Sequence, residues 1–121
     1  MAKHRYFDTR FWSDNFIANL NPLERYLFLY FLLNEHTNIC GIYELPLKIM
    51  AFETGIDIEM LPKMLKRFEG KVEYINGWVW VVNFIKHQDN GSKDIIKGIE
   101  NCVRLAPKEV QIRVEEHLKK K

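Results

Sequence analysis

Lys71-Val72-Glu73-Tyr74-Ile75-Asn76-Gly77-Trp78-Val79-Trp80-Val81-Val82-Asn83-Phe84 is the stretch whose reading decides the fold. Two runs rich in β-branched and aromatic residues flank an Asn-Gly pair. A two-residue type I′ turn needs positive φ at both central positions, which Asn and Gly accept more readily than other residues. The pattern therefore predicts a β-hairpin turning at Asn76-Gly77.

Upstream, Gly70 closes a helix expected from Ile58 to about Glu69. Ile58, Leu61, Leu65 and Phe68 form its inner stripe, Lys63, Lys66 and Arg67 point elsewhere, and Asp57 caps its start. Pro62 sits one turn in and removes a backbone donor, which predicts a local distortion or a displaced helix start. Gly55 ends a shorter helix that Pro46 opens, Leu47 to about Thr54, with Leu47, Met50 and Ala51 on one face. Ile39-Cys40-Gly41-Ile42-Tyr43-Glu44-Leu45 reads as a short strand, after the polar connection Glu35-His36-Thr37-Asn38. Before these, Asn21-Pro22-Leu23-Glu24 is a helix start. Asn21 accepts from exposed amides, Pro22 suits the first turn, and Glu24 stands where a capping-box carboxylate belongs. The helix that follows, to about Asn34, is apolar on nearly every side, which predicts the central, most buried element. Phe11, Trp12, Phe16, Ile17 and Leu20 recur at about helical spacing behind Asp8-Thr9 and predict a first short helix or a pair of helical turns.

Downstream, Asn90-Gly91-Ser92 is a loop, and Ser92 caps a helix expected from Lys93 to about Leu105, with Ile95, Ile99 and Cys102 inward. Pro107 opens a last helix carrying Val110, Val114 and Leu118 on one face. Val110, Ile112 and Val114 also alternate as a strand would.

Helix, strand, helix, turn, helix, hairpin is the order of a winged helix-turn-helix. The expected fold is α+β, mainly α: a winged-helix domain over residues 1–88 with a β-hairpin wing, and a C-terminal helical extension over residues 89–121 packed on or beside it. In that arrangement the second helix of the turn motif enters the major groove with its exposed side chains toward the bases. The DNA-binding candidates are then Lys63, Lys66 and Arg67 on that helix, with Lys71, Lys86 and His87 near the backbone. The alternative for these cations is a solvated helix face. The wing tip carries no Arg or Lys to favour a minor groove. Tyr74, Trp78 and Trp80 are candidates for stacking unpaired bases, for an oligomer contact, or for the core.

Composition narrows the function classes. The chain has 121 residues, 47% of them hydrophobic and 28% charged, enough apolar material for one packed core. Residues 1–53 carry five Lys/Arg against six Asp/Glu, residues 54–85 four against four, and residues 86–121 nine against six. The positive excess lies beyond the hairpin, in a segment ending Lys119-Lys120-Lys121. The chain start, Met1-Ala2-Lys3-His4-Arg5, has no apolar stretch of a secretory signal, and no run approaches the roughly 20 apolar residues of a bilayer span, so a cytoplasmic protein with no membrane partner is expected. Cys40 and Cys102 have no CxxC spacing and read as reduced, partly buried thiols. His4, His36, His87 and His117 lie far apart in sequence and beside no carboxylate at ligand spacing, so no metal and no cofactor is expected. No phosphate loop, GxSxG elbow or Cys-His signature occurs, so the chain is not read as an enzyme.

Five stretches carry a family resemblance: Arg5-Tyr6-Phe7-Asp8-Thr9-Arg10-Phe11-Trp12-Ser13-Asp14, Leu27-Phe28-Leu29-Tyr30, Cys40-Gly41-Ile42-Tyr43-Glu44-Leu45, Ala51-Phe52-Glu53-Thr54-Gly55 and Trp80-Val81-Val82-Asn83-Phe84-Ile85-Lys86-His87-Gln88. The sequence resembles, over about residues 5–104, the N-terminal winged-helix domain of phage and prophage replication-initiation proteins, the replisome organisers related to DnaD-type primosome proteins. The resemblance implies origin or single-strand DNA binding, self-association and contact with other replisome proteins. Such proteins often continue into a second domain that engages the helicase loader, whereas this sequence ends soon after its last expected helix. Two other readings use the same fold: a protein-interaction module that oligomerises through its wing and C-terminal helices with little DNA affinity, motivated by the near-neutral charge of residues 1–85, and a transcription regulator.

Overall fold

The computed structural model describes residue 4, residues 7–82, residue 84 and residues 93–119. It is α+β and mainly helical, with one small antiparallel sheet. A 3-10 turn at Thr9–Ser13 and the single-turn helix α1 (Asn15–Ala18) lead into α2 (Pro22–Leu33), followed by β1 (Ile42–Glu44), α3 (Leu47–Thr54), α4 (Leu61–Arg67), β2 (Val72–Ile75), β3 (Trp78–Val81), α5 (Lys93–Arg104) and α6 (Lys108–Lys119).

Local chemistry sets most of these boundaries. At the start of α2 the capping box is complete: Asn21 Oδ1 accepts from the Glu24 amide at 2.9 Å, and Glu24 Oε1 accepts from the Asn21 amide at 2.9 Å. The hairpin turns at Asn76 (φ 46°) and Gly77 (φ 85°), both left-handed as a type I′ turn requires, with Ile75 opposite Trp78. Gly55, at φ 76°, ends α3.

Four expectations need correction. α4 begins at Leu61 and not at Ile58, the displaced start that Pro62 predicts, and residues 58–60 form a turn in which the Met60 amide donates to the Asp57 carbonyl at 2.9 Å. Pro62 thereby falls in the first helical turn, where its missing N–H costs nothing, and Met64 joins Leu61 and Phe68 in the core while Ile58 stays exposed. α2 is not buried all round. Leu27, Phe28 and Phe31 face inward, but Leu23, Tyr26 and Leu33 are exposed. β1 keeps only Ile42–Glu44 of the seven residues expected, since its length is set by pairing with β3, and Phe84 is helical instead of ending a strand.

The sheet order is β1-β3-β2, so β3 is central and pairs antiparallel with both neighbours. Alternation along the strands sends Tyr43, Val72, Val79 and Val81 to one face, where they meet Leu27, Phe28, Phe31 and Phe68 from α2 and the end of α4. Phe68 is the hub: its ring lies 5.5 Å from Phe28 and 6.2 Å from both Phe31 and Phe16. The opposite face carries Ile42, Trp80, Ile75 and Trp78. These pack with Cys40, with Ile99, Val110 and Val114 of the C-terminal helices, and with Ala106 between those helices. A sheet covered on both faces explains why Trp78-Val79-Trp80-Val81-Val82 reads as a continuous apolar run.

Candidate nucleic-acid interface

The site expected from sequence centres on α4, a helix about 10 Å long. Leu61, Met64 and Phe68 anchor it to the core, which leaves Pro62, Lys63, Lys66 and Arg67 outward. Lys63 and Lys66 are three residues apart and share one face. Both are exposed, and neither forms an ion pair among the described residues.

Arg67 has a different environment. Its Nε donates to Glu24 Oε2 at 3.0 Å, and its Nη2 reaches Glu24 Oε1 at 3.4 Å and the Asn19 carbonyl at 3.3 Å. Glu24 is 7% exposed and already holds the N-terminus of α2 through the Asn21 amide. Arg67 therefore supplies the charge that makes a nearly buried carboxylate tolerable, and it ties α4 to α2. Nothing local announces this pair, because its members are 43 residues apart in sequence.

Lys71 follows the helix, exposed, with its ammonium 5.7 Å from the centre of the Phe16 ring. Lys86 and His87 lie outside the described residues. The exposed cations on α4 are thus Lys63 and Lys66, with Arg67 half-engaged, while Lys71 lies beyond the helix beside Phe16.

The three aromatic candidates on the hairpin divide in the same way. Trp80 is 4% exposed, beneath the C-terminal helices, with its ring edge-on to His117 at 5.6 Å. Tyr74 is half-buried, and its hydroxyl donates to the Leu45 carbonyl at 2.7 Å, fastening the hairpin to the residue after β1. Burial pushes its phenol above the ordinary range. Trp78 is half-buried against the same cluster as Trp80. In this arrangement Trp80 offers no face to a base or to a partner.

The hairpin tip is held as well. Asn76 Nδ2 donates to Glu109 Oε1 on α6, and Arg113 Nη2 reaches Glu73 Oε1 at 3.2 Å. The end of the hairpin is therefore bound to α6 by polar contacts that sequence reading missed, both spanning more than thirty residues.

Comparisons with protein-family models, curated proteins and solved structures find no match.

Two clusters elsewhere are equally long-range. The thiols of Cys40 and Cys102, read from sequence as isolated, share a hydrogen bond. That bond, followed by burial, pushes the Cys40 thiol well above its usual range and keeps it protonated. His36, read as standing beside no carboxylate, has Nε2 at 2.9 Å from Glu53 Oε2 and 3.0 Å from Oε1. Tyr30 donates to the same Glu53 carboxylate at 2.5 Å. Burial raises the Glu53 carboxyl, but the hydrogen bonds from Tyr30 and His36 outweigh it and leave the group below its ordinary range. No helix among the described residues is long and apolar enough to cross a membrane.

Proposed function

We propose that this chain is a winged helix-turn-helix DNA-binding module of replication initiation, with α4 as the helix that enters the major groove. Support for the fold comes from the element order α2-β1-α3-α4-β2-β3 combined with the sheet order β1-β3-β2, in which the hairpin after α4 is completed by the strand between α2 and α3. The observation that carries the function is the division of the α4 cations: Lys63 and Lys66 project together with no acidic partner among the described residues, while Arg67, half-exposed, is held by Glu24. Two ammonium groups on an outward helix face neutralise phosphates. The assignment to replication, at an origin or on single strands, rests on the resemblance described above.

The test is fluorescence anisotropy with labelled double- and single-stranded DNA at two salt concentrations. The variant carrying Lys63→Ala and Lys66→Ala should lose affinity uniformly across sequences, with the salt slope falling by about 2, since each phosphate contact contributes about 0.9. Unchanged affinity and slope would remove α4 from the interface.

A second reading, docking of protein partners or self-association, is favoured by the exposed face of α2. Tyr26 and Leu33 are 45% and 50% exposed there, and Phe52 on α3 is 87% exposed. This reading moves the contact away from the hairpin, whose outer face α5 and α6 already cover. Sedimentation over a concentration series tests the self-association: a strictly monomeric protein removes that part of the second reading.

A further inference from the structure

Where the C-terminal end of α2 meets the last turn of α3, Glu35, His36 and Glu53 each bring one ligand-type atom to within 4.8 Å of the others. We propose that these three side chains form a binding site for a first-row divalent cation of the zinc type, separate from the α4 surface and independent of the DNA-binding reading. The imidazole decides the class of ion: magnesium and calcium take all-oxygen sets, whereas nitrogen and carboxylate together suit zinc and its neighbours.

The geometry is close to what such an ion needs. Bonds of about 2.0–2.1 Å at a tetrahedral centre put neighbouring ligand atoms about 3.3 Å apart. His36 Nε2 already stands 2.9 Å from one Glu53 oxygen and 3.0 Å from the other, with only a proton between them. Exchanging that proton for a cation opens the pair by a few tenths of an ångström. Glu35, exposed and without an ion-pair partner among the described residues, is the third ligand, and water completes the shell.

Supporting groups hold two of the ligands from behind. The Tyr30 hydroxyl donates to Glu53 Oε1, orienting the carboxylate as outer-shell donors do in metal sites. The His36 amide donates to Asn34 Oδ1 at 2.8 Å, and the Thr37 hydroxyl donates to the Asn34 carbonyl at 3.0 Å, which shapes the turn presenting His36. Two carboxylates converge here, and the cation would relieve their mutual repulsion while clamping the turn after α2 to α3.

The full chain, stripped with a chelator, is titrated with Zn2+ alone by calorimetry, and the Co2+ form is read by its visible absorption. One equivalent should bind, with the intense bands of a four-coordinate nitrogen–oxygen site. His36→Gln keeps a hydrogen-bond donor toward Glu53 but removes the ligand, so affinity should fall at least about tenfold, within the range that lost metal-site interactions produce. Glu35→Gln, at an exposed position that leaves the fold intact, should weaken binding several-fold, and His117→Gln should change nothing. Absence of Zn2+ binding to the wild type, binding undiminished in both His36→Gln and Glu35→Gln, or equal affinity for Mg2+ would each overturn the site.

Discussion

The two faces of the three-stranded sheet are covered by different material. On the inner face, large aromatic rings from α2 and the end of α4 interlock around Phe68, which lies close in sequence to the hairpin it covers. On the outer face, Ile99, Val110 and Val114 of the C-terminal helices and Ala106 between them lie over Trp80, Ile42 and Cys40, supplemented by polar contacts at the hairpin tip. The inner face buries rings that gain more per residue, so it holds the α2–α4–hairpin unit together. The outer face uses smaller side chains to seat α5 and α6 on a sheet already formed. The first layer positions α4, and the second covers the aromatic side of the hairpin.

Four experiments would break or sharpen that contrast. Phe68→Ala removes the ring that α2, α4 and the sheet share, and should cost about 3–5 kcal/mol in urea denaturation. Val110→Ala, equally buried but on the outer face, should cost about 1.5–2.5 kcal/mol, since only two methyl groups leave. Hydrogen exchange should then rise in α5 and α6 while α2 stays protected; equal loss of protection in α2 would mean that the two layers melt as one. Arg67→Ala strands the Glu24 carboxylate and should cost about 1–3 kcal/mol, with Glu24→Gln on top recovering part of the loss. Smallest of all, Arg113→Ala breaks an ion pair whose arginine is half-exposed, and should change stability by less than about 1 kcal/mol. If Arg113 proved as costly as Arg67, the outer contacts would be far stronger than their exposure implies.

Legibility in the sequence followed the same division. Asn76-Gly77 and the Asn21–Glu24 capping box involve residues within a few positions of each other, and local backbone preference decides them alone. Pro62 gave warning of a shifted helix start, because a missing N–H is tolerated only in the first turn. Strand ends and the exposed side of α2 were not legible, since both depend on what packs opposite. The candidate site was half-legible. Lys63, Lys66 and Arg67 are all outward as helical spacing suggests, but the ion pair between Arg67 and Glu24 is a tertiary event. Trp80 and Tyr74 likewise took their roles from partners far along the chain, Trp80 from His117 and Tyr74 from Leu45.

The β1-β3-β2 order has one more consequence. It leaves β1 and β2 as the edges of the sheet, where unpaired amides and carbonyls invite a stray strand to add itself. These edges run for only three and four residues. Amyloid-type stacking draws on segments of about six residues or more, so neither border gives an intruding chain enough length to grip. The most β-prone and apolar strand, Trp78–Val81, is the one kept in the middle. The topology that positions the hairpin thus also leaves little edge for a second strand to extend.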